Sequence, residues 1–135
     1  SDGGTAMCVV DMNGLDTIFF EVDMNVCAQP LEIAFYMYDY ATGLTFSYSI
    51  TTGDTGEVPT GISVGVPGVG DAMIYLTYEL SGNLDALEMK FGFDLGLTVL
   101  GYTSYCSDYY PEQCPLIFLD ETIDFGDACS SAKVA

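Results

Sequence analysis

The sequence predicts an all-β protein, an antiparallel sandwich of the jelly-roll or immunoglobulin-like kind with roughly eight to ten strands. Three observations predict it. Apolar and polar residues alternate at period two in one segment after another. Turn residues punctuate those segments about every ten positions, the interval of strands that double back on themselves. Only Leu84-Asp85-Ala86-Leu87-Glu88-Met89-Lys90 has a helical composition, and the alternation that runs on from it to Val99 limits it to one turn at most. At 135 residues the chain is long enough for one domain with one sizeable core. No shift in composition marks a second domain. Residues 1–135 therefore read as a single sandwich, with 1–6 and 126–135 as flexible or subunit-linking tails.

The first strand is the clearest: Ile18, Phe20, Val22, Met24 and Val26 alternate with Phe19, Glu21, Asp23, Asn25 and Cys27. Leu31, Ile33, Phe35 and Met37 repeat the pattern against Ala34, Tyr36, Tyr38 and Tyr40. The link Tyr40-Ala41-Thr42-Gly43 then leads into Leu44, Phe46, Tyr48 and Ile50, which closes a hairpin with a Ser/Thr outer face. Residues 53–60 are rich in Gly, Asp, Thr and Pro and read as a loop. A short strand follows at 62–66, with a type II turn at Pro67-Gly68. Ile74, Leu76, Tyr78 and Leu80 face together in the next strand, and Ser81-Gly82-Asn83 turns the chain. The longest alternation runs from Leu87 to Val99. Its glycines at 92 and 96, with Gly101 beyond, predict a bend or bulge that splits it. Residues 116–119 and 122–125 make two short terminal strands.

Five cysteines, none in a Cys-x-x-Cys pair and with no histidine in the chain, point to disulfides rather than to zinc. Cys106 and Cys114 enclose a short polar loop and are the first pair. Cys8, Cys27 and Cys129 compete for one further bridge. The one left over is a free thiol, bonded to another chain, or simply buried. Cysteine content and lysine scarcity fit a secreted, extracellular setting, and the small polar start Ser1-Asp2-Gly3-Gly4-Thr5 is what cleavage of a leader would leave. Asn25-Val26-Cys27 is the one variant N-glycosylation site, and the Ser/Thr-rich segment 47–55 is open to O-glycans.

Charge excludes several functions. Twenty acidic residues stand against two lysines, a net charge of -18, so the chain cannot neutralise a row of phosphates and is repelled by anionic membranes. No apolar run approaches the ~18 residues of a spanning helix, and no membrane insertion is expected. Without histidine, a serine or cysteine nucleophile has only Lys90 and Lys133 to activate it. With so many acids, paired carboxylates carry no glycosidase signal. A non-enzymatic protein is the expectation, and no cofactor is required.

Asp54-Thr55-Gly56 resembles the tripeptide of aspartic proteases, with Val99-Leu100-Gly101 in the place of the family's second signature. The resemblance implies a retroviral-type protease that dimerises to pair two aspartates. That family has apolar strand residues before its aspartate, where this chain has Thr51-Thr52-Gly53. Val66-Pro67-Gly68-Val69-Gly70 is a single elastin-like pentapeptide without repeats, and Asp124-Phe125-Gly126 lacks the other kinase motifs. Acids gathered at Asp120, Glu121, Asp124 and Asp127 are a candidate calcium site, since hard cations take six to eight oxygens from loop carboxylates and carbonyls. None of the acidic clusters has EF-hand spacing. The ten tyrosines are expected on outer strand faces suited to protein or glycan contact. The function expected from these features is that of a structural protein associating with copies of itself in an extracellular filament, coat or matrix. An extracellular carrier of an apolar or carbohydrate ligand is the alternative, and the aspartic protease a remote one.

Overall fold

The computed structural model describes residues 3–11, 14 and 16–129. Nine strands and one helical turn follow in the order β1 (Thr5–Asp11), β2 (Thr17–Asn25), β3 (Glu32–Asp39), β4 (Thr45–Ile50), β5 (Thr55–Val66), β6 (Gly70–Asn83), β7 (Ala86–Val99), β8 (Tyr102–Tyr105), α1 (Cys106–Tyr109) and β9 (Leu116–Ile123). Strands β1–β4 form one antiparallel sheet in sequence order. Strands β5–β8 form the second, and β9 pairs β7 beside β8. The expected sandwich is present, but its connections are simpler than Greek-key order: the first sheet is a meander, the second is a meander through β8 with β9 returning to β7, and among the described residues the chain crosses between sheets once, through residues 51–54. Among the described residues no helix is long and apolar enough to cross a membrane.

The core is the set of alternating residues on the two facing sides. Ile18, Phe20 and Val22 of β2 and Ile33, Phe35 and Met37 of β3 meet Ile74, Leu76, Leu87, Met89, Phe91 and Phe93 of β6 and β7. Rings cross the interface edge to face: Phe35 to Phe91 at 4.5 Å and Phe20 to Phe93 at 6.0 Å between centroids. Register in β9 shifts opposite Phe91 and Gly92, leaving Phe118 out of the ladder. Phe118 drops among these rings, 4.0 Å from Phe20 and 4.6 Å from Phe93.

Several boundaries differ from expectation. Thr5 and Ala6 are not a tail but the start of β1, and Cys129, expected in the other tail, is tied to Cys27. Ser1, Asp2 and residues 130–135 of those tails lie outside the described residues. The loop expected at 53–60 is strand from Thr55 onward, interrupted in register between Pro59 and Ser63; an edge position tolerates the proline. The turn at 81–83 moves to Leu84-Asp85, where Asn83 Oδ1 accepts the Asp85 and Ala86 N–H groups. Strand β7 is not split. Gly92 and Gly96 serve close approach instead: a Cβ on Gly92 would lie 2.9 Å from the Leu116 carbonyl, and one on Gly96 2.5 Å from the Tyr75 ring. The bulge sits on β9, which fuses the two short terminal strands into one.

Candidate interaction surface

Strands β6 and β7 run 14 residues each, and no strand of the first sheet exceeds nine. The long hairpin overhangs the short sheet at the end carrying the β5–β6 and β7–β8 turns. There the core-facing residues Val66, Ala72, Leu95 and Leu97 line an open cavity of about 240 Å³, closed on one side by Tyr105, Tyr109 and Tyr110. Val69, Tyr109 and Tyr110 of its lining are exposed, and so are Val99, Leu100 and Tyr102 in and beside the β7–β8 turn.

Leu100 forms the tip. Val99 pairs Tyr102, so Leu100 and Gly101 make a two-residue hairpin loop, with φ of 52° and 82°. Such loops require positive φ at both positions and favour Asn-Gly. A leucine there costs ~1 kcal/mol of backbone strain, and its side chain is 94% exposed.

The tyrosines of α1 are fixed from behind. Asp94 is buried and accepts Ser107 Oγ at 2.5 Å, Ser107 N–H at 3.2 Å and Leu95 N–H at 2.9 Å. The Cys106–Cys114 disulfide, the first expected pair, closes the loop after the turn. Tyr75 and Tyr105 stack edge to face at 5.1 Å above Gly96. Burial, with Glu57 and Tyr75 adding to it, pushes the Tyr105 hydroxyl up to about 12, so it stays neutral. Not all tyrosines are on outer faces, however. Tyr48 and Tyr78 meet between the sheets with hydroxyls 3.4 Å apart. That hydrogen bond and burial push Tyr78 up to about 12.

The sequence-predicted site residues scatter. Asp120 and Glu121 are neighbours in β9 and so point to opposite faces, one opposite Lys90 and the other opposite Met89. Asp124 Oδ1 accepts the Gly126 N–H at 2.8 Å, and Asp127 follows in the same turn. Among the described residues, only Asp94, Cys106 and Cys114 bring three ligand-type groups within 4.8 Å of one another, and those two sulfurs are bonded together. Asp54 lies in the crossover between sheets, its carboxylate accepting the Thr51 N–H at 2.8 Å. The second bridge is Cys27–Cys129, and Cys8 is the cysteine left over, exposed rather than buried.

One acid pair was not visible in the sequence. Asp39 is buried at the β3 end, where it accepts Thr42 Oγ1 at 2.6 Å and Ala41 N–H at 3.1 Å. Asp16 is hydrogen-bonded to it. Burial, the Asp39 hydrogen bond and its charge push the Asp16 carboxyl up to about 6, against the opposing Thr17 N–H. Burial also acts to raise Asp39, but the hydrogen bonds from Thr42, Asp16 and Ala41 outweigh it and hold that carboxyl low. A raised acid stabilises the fold while it keeps its proton. The Asp16 contribution is therefore complete below about pH 4 and is lost as pH rises through about 6. Asp16→Asn keeps a donor for Asp39 without the titration. It is expected to match the parent at pH 3.5 and to exceed it by about 1–2 kcal/mol at pH 7.5, allowing for partial exposure. Urea midpoints of both proteins at the two pH values measure the difference, and equal midpoints at pH 7.5 would count against the shared proton.

Comparison of the chain with protein-family models, with curated proteins and with solved structures finds no match.

Proposed function

We propose that this protein is a non-enzymatic extracellular structural module that associates with copies of itself through the apolar end of its sandwich. Leu100 carries the reading. An exposed leucine in a left-handed turn position gives up stability where asparagine would not, and strain of that kind is expected where a side chain has a use outside the fold. Tyr102 beside it, with Tyr109 and Tyr110 on the cavity at the same end, supplies large, stiff contact area at low entropy cost. Two disulfides accord with secretion into an oxidising compartment. Calcium enters as a counterion that lowers repulsion between chains of charge -18.

Sedimentation velocity across a concentration series, with and without calcium, tests the reading. Association beyond 14.5 kDa is expected for the parent, promoted by calcium and abolished by Leu100→Asp with Tyr102→Asp. A parent that remains a monomer at every concentration, with calcium present, overturns it. The cavity at the same end favours the second reading, a carrier of a small apolar ligand. That reading predicts instead a monomer that takes up an apolar fluorescent probe, and a Leu97→Asp variant that does not.

A further inference from the structure

Strand β1 offers a different surface. It pairs β2 alone, and among the described residues no strand covers its other side. Edges of stable monomers are blunted by lysine, proline, bulges or shortness. Strand β1 has none of these: seven residues pair without a break in register, and Asp11 at the end is the only charge. Met7 and Val9 are 63% and 57% exposed.

Which peptide groups face the open edge follows from the ladder. The Gly3 N–H donates to the Met24 carbonyl at 2.7 Å, and the Met24 N–H donates to the Gly4 carbonyl at 2.9 Å. Peptide directions alternate along an antiparallel strand. Met24, Val22 and Phe20 therefore turn their peptide groups to β1, and their partners Ala6 and Cys8 turn theirs to β2. Met7 and Val9 present theirs to the open edge. An antiparallel strand added there meets Cys8 at a non-hydrogen-bonded position, where facing Cα atoms are about 4.5 Å apart. Disulfides span ~4.4–6.8 Å between Cα atoms.

We propose that the occupant is a second copy of this chain, paired β1 to β1 about a two-fold axis at Cys8 and locked by a Cys8–Cys8 disulfide. The other four cysteines are bonded within the chain, and Cys8 is free and exposed. In this register Met7 faces Val9 of the second copy, and Asp11 faces Thr5, so the two aspartates stand at opposite ends of the ladder. Seven residues a side fall well short of the roughly 20–30 of a stable interface, so edge pairing supplies alignment and the covalent bond supplies permanence.

The oxidant is a low-molecular-weight disulfide. The Cys8 thiolate attacks one of its sulfurs and releases one small thiolate, leaving a mixed disulfide. The thiolate of the second copy then attacks the Cys8 sulfur and releases the other. Two electrons pass to the small disulfide, and the two Cys8 protons end on the two small thiols. Partial shielding of the exposed Cys8 thiol from water pushes it up, which favours mildly alkaline conditions.

Incubating the full chain with oxidised glutathione at about pH 8.5, near the reference thiol value, and reading mass under non-reducing conditions tests the proposal. The parent is expected at twice 14.5 kDa, with a Cys8–Cys8 peptide in its digest, and Cys8→Ser at the single mass. Met7→Glu with Val9→Glu sets like charges opposite one another on exposed positions and is expected to slow cross-linking about tenfold, with an unchanged melting curve. A parent that stops at the mixed disulfide overturns the proposal, and so does a double-Glu variant that cross-links at the parental rate. Leu100→Asp, aimed at the sandwich end, is expected to cross-link normally. Loss of that association alone therefore leaves the β1 contact standing.

Discussion

Replacing Cys27 and Cys129 together by serine is expected to lower the unfolding free energy by ~4–5 kcal/mol. The bond joins the end of β2, in the first sheet, to the segment after β9, in the second, across a sequence separation of 102. The unfolded chain with that bond intact is one large ring, and opening it restores the conformational freedom the ring removes. For Cys106–Cys114, separated by eight residues, the same argument gives about 2.5 kcal/mol. Total stabilities of domains are about 5–15 kcal/mol, so loss of the long-range bridge removes a large share. Urea unfolding of the two double-serine variants against the parent measures the ranking. A smaller loss for the Cys27–Cys129 pair than for the Cys106–Cys114 pair would show that the ring argument does not govern this fold.

Phe118→Ala is expected to cost about 2–3 kcal/mol, less than emptying a fully buried phenylalanine site because Phe118 is only partly buried. The Phe118 ring contacts Phe20 and Phe93 closely and lies 6.4 Å from Phe35 and Phe91. It is supplied by the bulge of β9, and Leu116 and Leu119 beside it already pack against the same core. Phe118→Leu keeps most of the volume and is expected to lose less than half as much. Thermal melts of both variants check the order. A loss below 1 kcal/mol for the alanine variant would mean that β9 re-registers to fill the hole.

The parts of this fold that were legible in the sequence are those where one face is buried and the other is not. Ile18 to Met24 and Ile33 to Met37 alternate because only one side of β2 and β3 meets the second sheet, and burial follows the alternation residue by residue. Phe118 was not legible. A bulge inserts one residue and reverses the phase of the alternation, so that adjacent Phe118 and Leu119 both pack against the core. Strand β1 was missed because an edge carries exposed Met7 and Val9 and has no buried face strong enough to impose a period. The acids misled for a related reason. Asp120 and Glu121 are adjacent in sequence, but extension in β9 sends them apart. Asp16 and Asp39 are distant in sequence, and the β2–β3 pairing brings them together. Acids also lie within strands, at Glu21, Glu57, Glu79, Glu88 and Asp120.

The single crossing between sheets has a consequence for the order of folding. Residues 5–50 contain every partner strand of the first sheet, so that sheet is complete in the chain before the second begins. Its hairpins close over short loops, which is fast. Its apolar side then waits for β6 and β7, some 20 to 50 residues later in synthesis, and in that interval it is the segment most open to mispairing. Cys27 waits longest. Its partner is Cys129, and Cys8 stands one strand away, on the neighbouring β1, throughout the delay.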